Sequence, residues 1–257
     1  MSLLTLKPTP ASALPSKGTP EYTRYRDTLV HDALDLVASL PTSPLWAKQK
    51  TYHADQGLAT HTYSTTSPPP GSGDTERYRW HARQSRHDTS FDHFERGLLR
   101  HHSVNERDYI ESCYLARRLA VVDEGELEDT SPFPASRRAF VFALLTLALP
   151  PRPHPTDPSA APRRAFLVVS LPATHDAARE EDEKEGAVRA RYVSVEHVEE
   201  DDEGGVVWTM AVASDAGGAI PRWITERAMP AKVAEDVPSF VEWVTKTEKG
   251  EGGEGSP

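Results

Sequence analysis

The most chemically suggestive stretch of the sequence is Trp80 to His87, in which polar and apolar residues alternate. The alternation is typical of a β-strand with two different faces, and Arg83, Ser85 and His87 share one of them. If this face lines a cavity, Arg83 and Ser85 can bind a hydroxyl or carboxylate of a ligand whose remainder makes apolar contacts. If it faces solvent, Trp80 lies in the core and Arg83 on a hydrated surface. The sequence leaves both interpretations open.

Two further charged residues, Arg117 and Glu196, each interrupt a predicted strand that is otherwise rich in apolar residues. A buried arginine–carboxylate pair must be hydrogen-bonded, so such a pair would mark the polar end of a binding site. Charged residues are seldom buried without a partner. Exposure of either residue at a sheet edge is therefore an equally open alternative.

Five histidines lie close together in the sequence, but no HExxH motif or similar spacing joins them to carboxylates. A metal site needs several converging ligands, so we expect neither a metal ion nor a cofactor. A nucleophile with a base and an orienting group is not recognisable either. The single cysteine, Cys113, excludes an intramolecular disulfide and indicates a reducing compartment. The histidines are His81, His87, His93, His101 and His102.

The elements that would position these groups are strands placed between two helices. Thr19-Pro20 begins a predicted amphipathic helix that ends at Pro41. Two short helices are predicted near Phe91 and at a capping box, Ser103–Glu106. The predicted strands cover 45–53, 58–65, 75–85, 114–122, 138–149, 164–171, 187–198 and 205–214.

The last predicted element is a long amphipathic helix from Gly217 to Lys246, bent or split at Pro230. Such a helix after a run of strands must lie across a sheet to bury its apolar stripe. The side chains expected in the space between helix and sheet suit a flat or polycyclic apolar ligand, and equally a plain core. They are Trp208, Met210, Trp223, Met229, Phe240 and Trp243.

The composition narrows the class of protein. A net charge of −10 argues against nucleic-acid binding, which requires a basic face. The longest apolar run, Ala139 to Leu149, is about half of a membrane span, and the N-terminus lacks the pattern of a signal peptide. We therefore expect a soluble, cytoplasmic protein. One domain is expected at 19–247, between an irregular segment, 1–18, and a disordered tail, 248–257.

Two segments carry a resemblance to a known family. The first runs from WHARQSRH at Trp80 to Ile110, and the second from Ile220 to Trp243. Together with the order of elements, they resemble a fungal branch of the START-like (StAR-related lipid transfer, Bet v 1-like) proteins. The resemblance implies an α+β helix-grip fold, in which a curved antiparallel sheet wraps around a long C-terminal helix and encloses an apolar cavity.

The resemblance also implies the binding of a hydrophobic small molecule, such as a lipid, sterol or polyketide-like compound, for transfer, sequestration or sensing. Transient membrane contact would accompany transfer. Two alternatives remain: a cyclase- or hydrolase-type enzyme on the same fold, with Arg83, His87, Tyr109, Tyr114 and Glu196 as candidate groups, or a protein-interaction module with a filled core. The predicted ligand-binding residues are Trp80, Arg83, Ser85, His87, Arg117, Glu196, Trp208, Met210, Trp223, Arg227 and Phe240.

Overall fold

The computed structural model describes residues 2–40, 42–65, 78–110, 113–121, 125–132, 138–157 and 159–251. The side chains of 113–121, 125–132, 181–183, 185 and 247–251 lie outside this description. The loop predicted at Ser67–Asp74 and the last part of the predicted tail, 252–257, also lie outside the described residues.

The first long helix, α1, spans Pro20–Ala38. It begins as predicted, because the Thr19 hydroxyl accepts a hydrogen bond from the backbone N–H of Tyr22 at 3.1 Å and caps the first turn. Leu29, Ala33 and Val37 form its buried stripe. Upstream of α1, the short strand β1 (Thr9–Pro10) joins the sheet.

One large sheet forms the centre of the molecule. Its main strands follow the order β2-β3-β4-β11-β10-β8-β7-β6-β5, and neighbours along this path are antiparallel. The short strands β1 and β9 pair in parallel with β8 and β7. The strands are β2 (Trp46–Tyr52), β3 (Thr60–Thr65), β4 (His81–His87), β5 (Cys113–Val121), β6 (Gly125–Pro132), β7 (Arg138–Ala148), β8 (Ala165–Thr174), β9 (Val188–Arg189), β10 (Arg191–Glu200) and β11 (Val206–Asp215).

In the described part of the chain, four more α-helices follow. The short helix α2 (Phe91–Phe94) continues into a π-helical turn, Glu95–Leu99, and α3 spans His102–Tyr109. The helix α4 spans Asp176–Glu185, and α5 spans Arg222–Glu251. The curled sheet with the long C-terminal helix confirms the predicted α+β helix-grip fold.

The sheet separates two apolar clusters. On one face, α1 and Leu6 of the N-terminal segment pack on residues such as Val195 and Ala211. On the other face, α2 and α5 pack on residues such as Phe166 and Trp208. Because paired residues of antiparallel strands share a face, each strand contributes alternate side chains to the two clusters. We call the face covered by α5 the inner face.

Several local predictions were wrong. Ser103 does not cap α3, because the helix already begins at His102. His101 occupies the capping position, with a φ of 54°. The acidic loop expected at 174–186 contains α4, whose Ala178 is fully buried. The strand β6 was not predicted.

The C-terminal helix is continuous through Pro230 and Pro238, so it is not split at Pro230. An interior proline removes one hydrogen bond, but the stripe of Val233, Val237 and Phe240 is buried and stabilises the helix after Pro230. The stripe predicted before Pro230 was wrong, since its large side chains are exposed. Ile220, Trp223 and Ile224 have relative accessibilities of 38%, 65% and 43%.

Candidate functional site

The candidate site lies on the inner face, where a row of paired residues crosses three strands. Arg83 of β4 is paired with Met210 of β11, which is paired with Glu196 of β10. Trp208 lies one position further along β11 on the same face, and its ring is 5.1 Å from that of Phe240 on α5. The alternation predicted for β4 therefore places Arg83 under α5, away from solvent.

Arg83 and Glu196 form a buried pair. Arg83 is 1% exposed and Glu196 5%, and Arg83 Nη2 lies 3.8 Å from Glu196 Oε2. The same oxygen accepts a hydrogen bond of 2.7 Å from Trp208 Nε1, and the guanidinium lies 3.7 Å from the centroid of the Trp208 ring. Burial lowers the pKa of Arg83 and the negative charge of Glu196 opposes this shift. An arginine remains a cation under these conditions.

Several buried polar atoms near this pair have no hydrogen-bond partner among the described residues. Arg83 Nε and Nη1 are two of them, and His87 Nδ1 is another. The opposite nitrogen of His87, Nε2, lies 2.8 Å from Ser85 Oγ. Burial lowers the pKa of His87 to about 4, so its imidazole is neutral near pH 7. Buried polar groups are normally satisfied by the protein or by ordered water, so these atoms are candidate contacts for water or for a bound molecule.

A second polar group approaches Glu196 from α3. His102 Nε2 lies 3.3 Å from Glu106 Oε1 and 3.6 Å from Glu196 Oε1. Its other nitrogen, Nδ1, lies 2.9 Å from the carbonyl oxygen of Leu98. Within the described part of the chain, His102, Glu106 and Glu196 form a set of possible metal ligands.

Two further ionisable groups lie beside these residues. Burial raises the pKa of Asp236 on α5 to about 7, although Arg83 acts in the opposite direction. Burial also raises the pKa of Tyr109 well above its ordinary value of 10. The Tyr109 ring lies 5.5 Å from the Phe240 ring. At neutral pH the site therefore holds a protonated phenol and a carboxyl group near its titration point.

The structure brings most of the predicted site residues together. Arg83, Ser85, His87, Glu196, Trp208, Met210 and Phe240 lie on the inner face or on the side of α5 that covers it. Arg117 lies in β5, and its side chain is outside the described residues.

Three predicted residues lie elsewhere. Trp80 lies on the face of the sheet opposite to Arg83 and is buried in the apolar cluster that α1 covers. Trp223 and Arg227 lie on the exposed first turns of α5 and face solvent. The structure therefore places these three residues away from Arg83, because Trp80 alternates with Arg83 along β4 and the first turns of α5 precede its buried stripe.

Sequence reasoning did not identify His102, Glu106 or Asp236 as site residues. The four-residue spacing of His102 and Glu106 on one helix was an available signal, since such residues lie on the same side of a helix. Glu196 joins them from a distant strand, and the pairing of that strand is not visible in the local sequence.

These features define a helix-grip fold like that of START domains. Human StAR-related lipid transfer protein 5 has the same fold, with a TM-score of 0.63 and 10% identity, over 88% of this chain and 99% of that one. The lipid transfer and protein localization domain of human StarD13 matches with a TM-score of 0.54 and 19% identity, over 76% and 88% of the two chains. The resemblance noted from the sequence is thereby confirmed for the fold.

The chain belongs to the family described as "Protein of unknown function (DUF3074)", which matches residues 80–244. An uncharacterised protein of Schizosaccharomyces pombe is 25% identical over 238 residues, which are 89% of this chain and 88% of the relative. This relative supports the fungal branch expected from the sequence. Among the described residues, no helix is both long and apolar enough to cross a membrane.

Proposed function

We propose that this protein binds a hydrophobic small molecule, of the lipid, sterol or polyketide-like class, between the inner face and α5. The observation that carries the proposal is the buried guanidinium of Arg83, whose Nε and Nη1 have no partner among the described residues. Leaving a buried donor unsatisfied costs about 1–3 kcal/mol. A ligand oxygen, from a hydroxyl, carbonyl, carboxylate or phosphate group, would remove this cost.

The residues around Arg83 offer polar and apolar contacts to a ligand. Glu196 and Asp236 lie close enough to Arg83 to oppose the effect of burial on its pKa. Trp208 and Phe240 supply buried aromatic surface beside it. The two human relatives with the same fold have "lipid transfer" in their names, which agrees with the proposed binding.

Two physical terms would give affinity and orientation. Removing apolar ligand surface from water contributes about 25 cal/mol per Å². A ligand that buries roughly 300 Å² of apolar surface therefore gains on the order of 7 kcal/mol before the costs of association. Arg83 would hold the polar end beside Trp208, because charge-assisted hydrogen bonds are stronger than neutral ones. Transfer or sensing then requires no covalent step.

The ligand would exchange at a membrane through the first turns of α5. Ile220, just before α5, and Trp223 and Ile224 in its first turn are exposed, and tryptophan suits the membrane interface. The net charge of −10 favours neutral over anionic lipids. Co-sedimentation with phosphatidylcholine vesicles should therefore fall in Trp223→Ala without loss of the fold. Equal binding by the two proteins would contradict this role.

Native mass spectrometry tests the binding itself. The tag-free protein, incubated with a fungal lipid extract, should retain a bound component that solvent extraction identifies. The Arg83→Met variant should lose that component. Arg86→Met is the matched control, because Arg86 lies on the same strand but is exposed and pairs with Asp201 at 2.5 Å. Absence of any bound component, or equal retention by both variants, would overturn the proposal.

A second candidate function is an enzyme that acts on a hydrophobic intermediate. It is favoured by Asp236, because a general acid or base is most effective with a pKa near the working pH. A bound compound recovered in chemically altered form from the native protein, but unaltered from Asp236→Asn, would support this function. Recovery of the same unaltered compound from both proteins would exclude Asp236 as its acid or base.

A further inference from the structure

We propose that His102, Glu106 and Glu196 bind one divalent transition-metal ion of the Zn²⁺ class. Such a site goes against the expectation from the sequence, in which these residues show no metal-binding motif. It does not depend on the binding of a hydrophobic ligand, and the two proposals can fail separately.

The distances between the three ligand atoms suit a small tetrahedral ion. Zinc–nitrogen and zinc–oxygen bonds of about 2.0–2.2 Å place neighbouring ligand atoms about 3.3–3.5 Å apart. His102 Nε2 lies 3.3 Å from Glu106 Oε1 and 3.6 Å from Glu196 Oε1. All three ligand atoms lie within 4.8 Å of one another. The third distance joins Glu106 Oε1 and Glu196 Oε1. Small rotations of the Glu106 side chain, which is 20% exposed, would bring these two atoms to the tetrahedral separation.

The hydrogen bonds around the ligands orient them toward the same point. A carbonyl oxygen only accepts, so the contact of His102 Nδ1 with the Leu98 carbonyl places a proton on Nδ1. In the neutral ring, Nε2 then carries a lone pair directed at the two carboxylates. Three electron-pair donors that face each other require a cation between them, either a metal ion or a proton.

The two carboxylate oxygens of Glu196 contact different groups. Oε2 accepts the hydrogen bond of Trp208 Nε1 and faces Arg83, whereas Oε1 faces His102. Metal-binding histidines and carboxylates are characteristically fixed in this way by a second hydrogen bond. Arg83 approaches Oε2, which would not bind the ion, so its positive charge lies on the far side of the carboxylate from the ion.

The position of the three ligands indicates what the ion would do. His102 and Glu106 are four residues apart on α3, and Glu196 comes from β10. A tetrahedral ion with three protein ligands keeps one open position. Water, or an oxygen of a molecule bound beside Arg83, would occupy it. The ion would also tie α3 to the sheet.

The alternative is a proton in place of the metal, which makes His102 an imidazolium between two carboxylates. Equilibrium dialysis of tag-free protein, freed of metal by a chelator, against micromolar Zn²⁺ separates the two. We expect one Zn²⁺ per chain by atomic emission, and absorption bands of tetrahedral Co²⁺ when Co²⁺ replaces it. The Glu106→Gln variant should bind at least about tenfold more weakly.

Asp108→Asn is the matched control, because Asp108 lies on the same helix with its side chain 49% exposed. It should bind Zn²⁺ as the wild type does. His102→Gln, checked for its fold by circular dichroism, provides a second loss of binding. Less than stoichiometric uptake, equal binding by Glu106→Gln, or a proton on His102 Nε2 in the ¹⁵N spectrum with Zn²⁺ present would each overturn the proposal.

Discussion

Replacing Asp236 by asparagine should stabilise the protein at alkaline pH and have little effect at acid pH. Burial raises the pKa of this carboxyl from 3.8 to about 7. As the pH rises above 3.8, the unfolded chain releases the proton, whereas the folded chain keeps it until about pH 7. The free energy of unfolding therefore falls across this window. At about 1.4 kcal/mol per pKa unit, the loss reaches at most about 4 kcal/mol above pH 7.

Urea titrations at intervals between pH 4 and 8.5 would measure this difference. Asparagine does not ionise, so the curve of Asp236→Asn should lie above that of the wild type at pH 8.5 and approach it near pH 4. Glu235→Gln is the control, because Glu235 is the neighbouring carboxylate and is 57% exposed. It should follow the wild type within about 1 kcal/mol. Parallel curves for Asp236→Asn and the wild type would refute the burial of an uncharged carboxyl.

Three other substitutions test the same interior. Arg83→Met leaves a buried carboxylate unpaired and should cost about 3–5 kcal/mol of unfolding free energy. The exposed control Arg86→Met should cost less than about 1 kcal/mol. Similar losses for the two variants would indicate that Arg83 is in solvent. Gly97→Ala should cost about 1–3 kcal/mol, because its Cβ would lie 2.5 Å from Phe240 Cε2, and an unchanged melting temperature would contradict this packing. Because burial lowers the pKa of His87 from 6.5 to about 4, its contribution is present above pH 6.5 and is lost as the pH falls toward 4. His87→Gln should therefore be less acid-sensitive than the wild type in this range, and an equal slope would count against a neutral His87.

The parts of the fold that follow from local sequence were predictable. The hydroxyl of Thr19 and the ring of Pro20 are enough to start α1, and the alternation around Arg83 correctly separated the two faces of β4. The sequence did not say which face was inside, because both carry aromatic or long side chains. Only the positions of α1 and α5 decide this, and Arg83 proved to lie under α5.

The errors came from residues whose role depends on distant partners. The exposure of Trp223 was missed, because its helical spacing matches that of the buried stripe after Pro230. In α4, the run of acidic residues suggested a hydrated loop, although Ala178 anchors it to the sheet. Glu196 could be identified as an unusual charge, but its neighbours on α3 depend on how the chain between them folds.

The two prolines inside α5 have a consequence for how the domain opens. Pro230 and Pro238 have no amide hydrogen, so the carbonyl groups of Glu226 and Ala234 lack their usual helical donor. Each interior proline lowers the intrinsic stability of a helix by about 3 kcal/mol, so α5 depends on the packing of its Phe240 against the inner face to stay helical. A helix that depends on such packing opens locally at the proline when the packing loosens. Under the proposed function, ligand exchange would therefore require only local melting near Pro230, while the sheet and the second half of α5 remain folded.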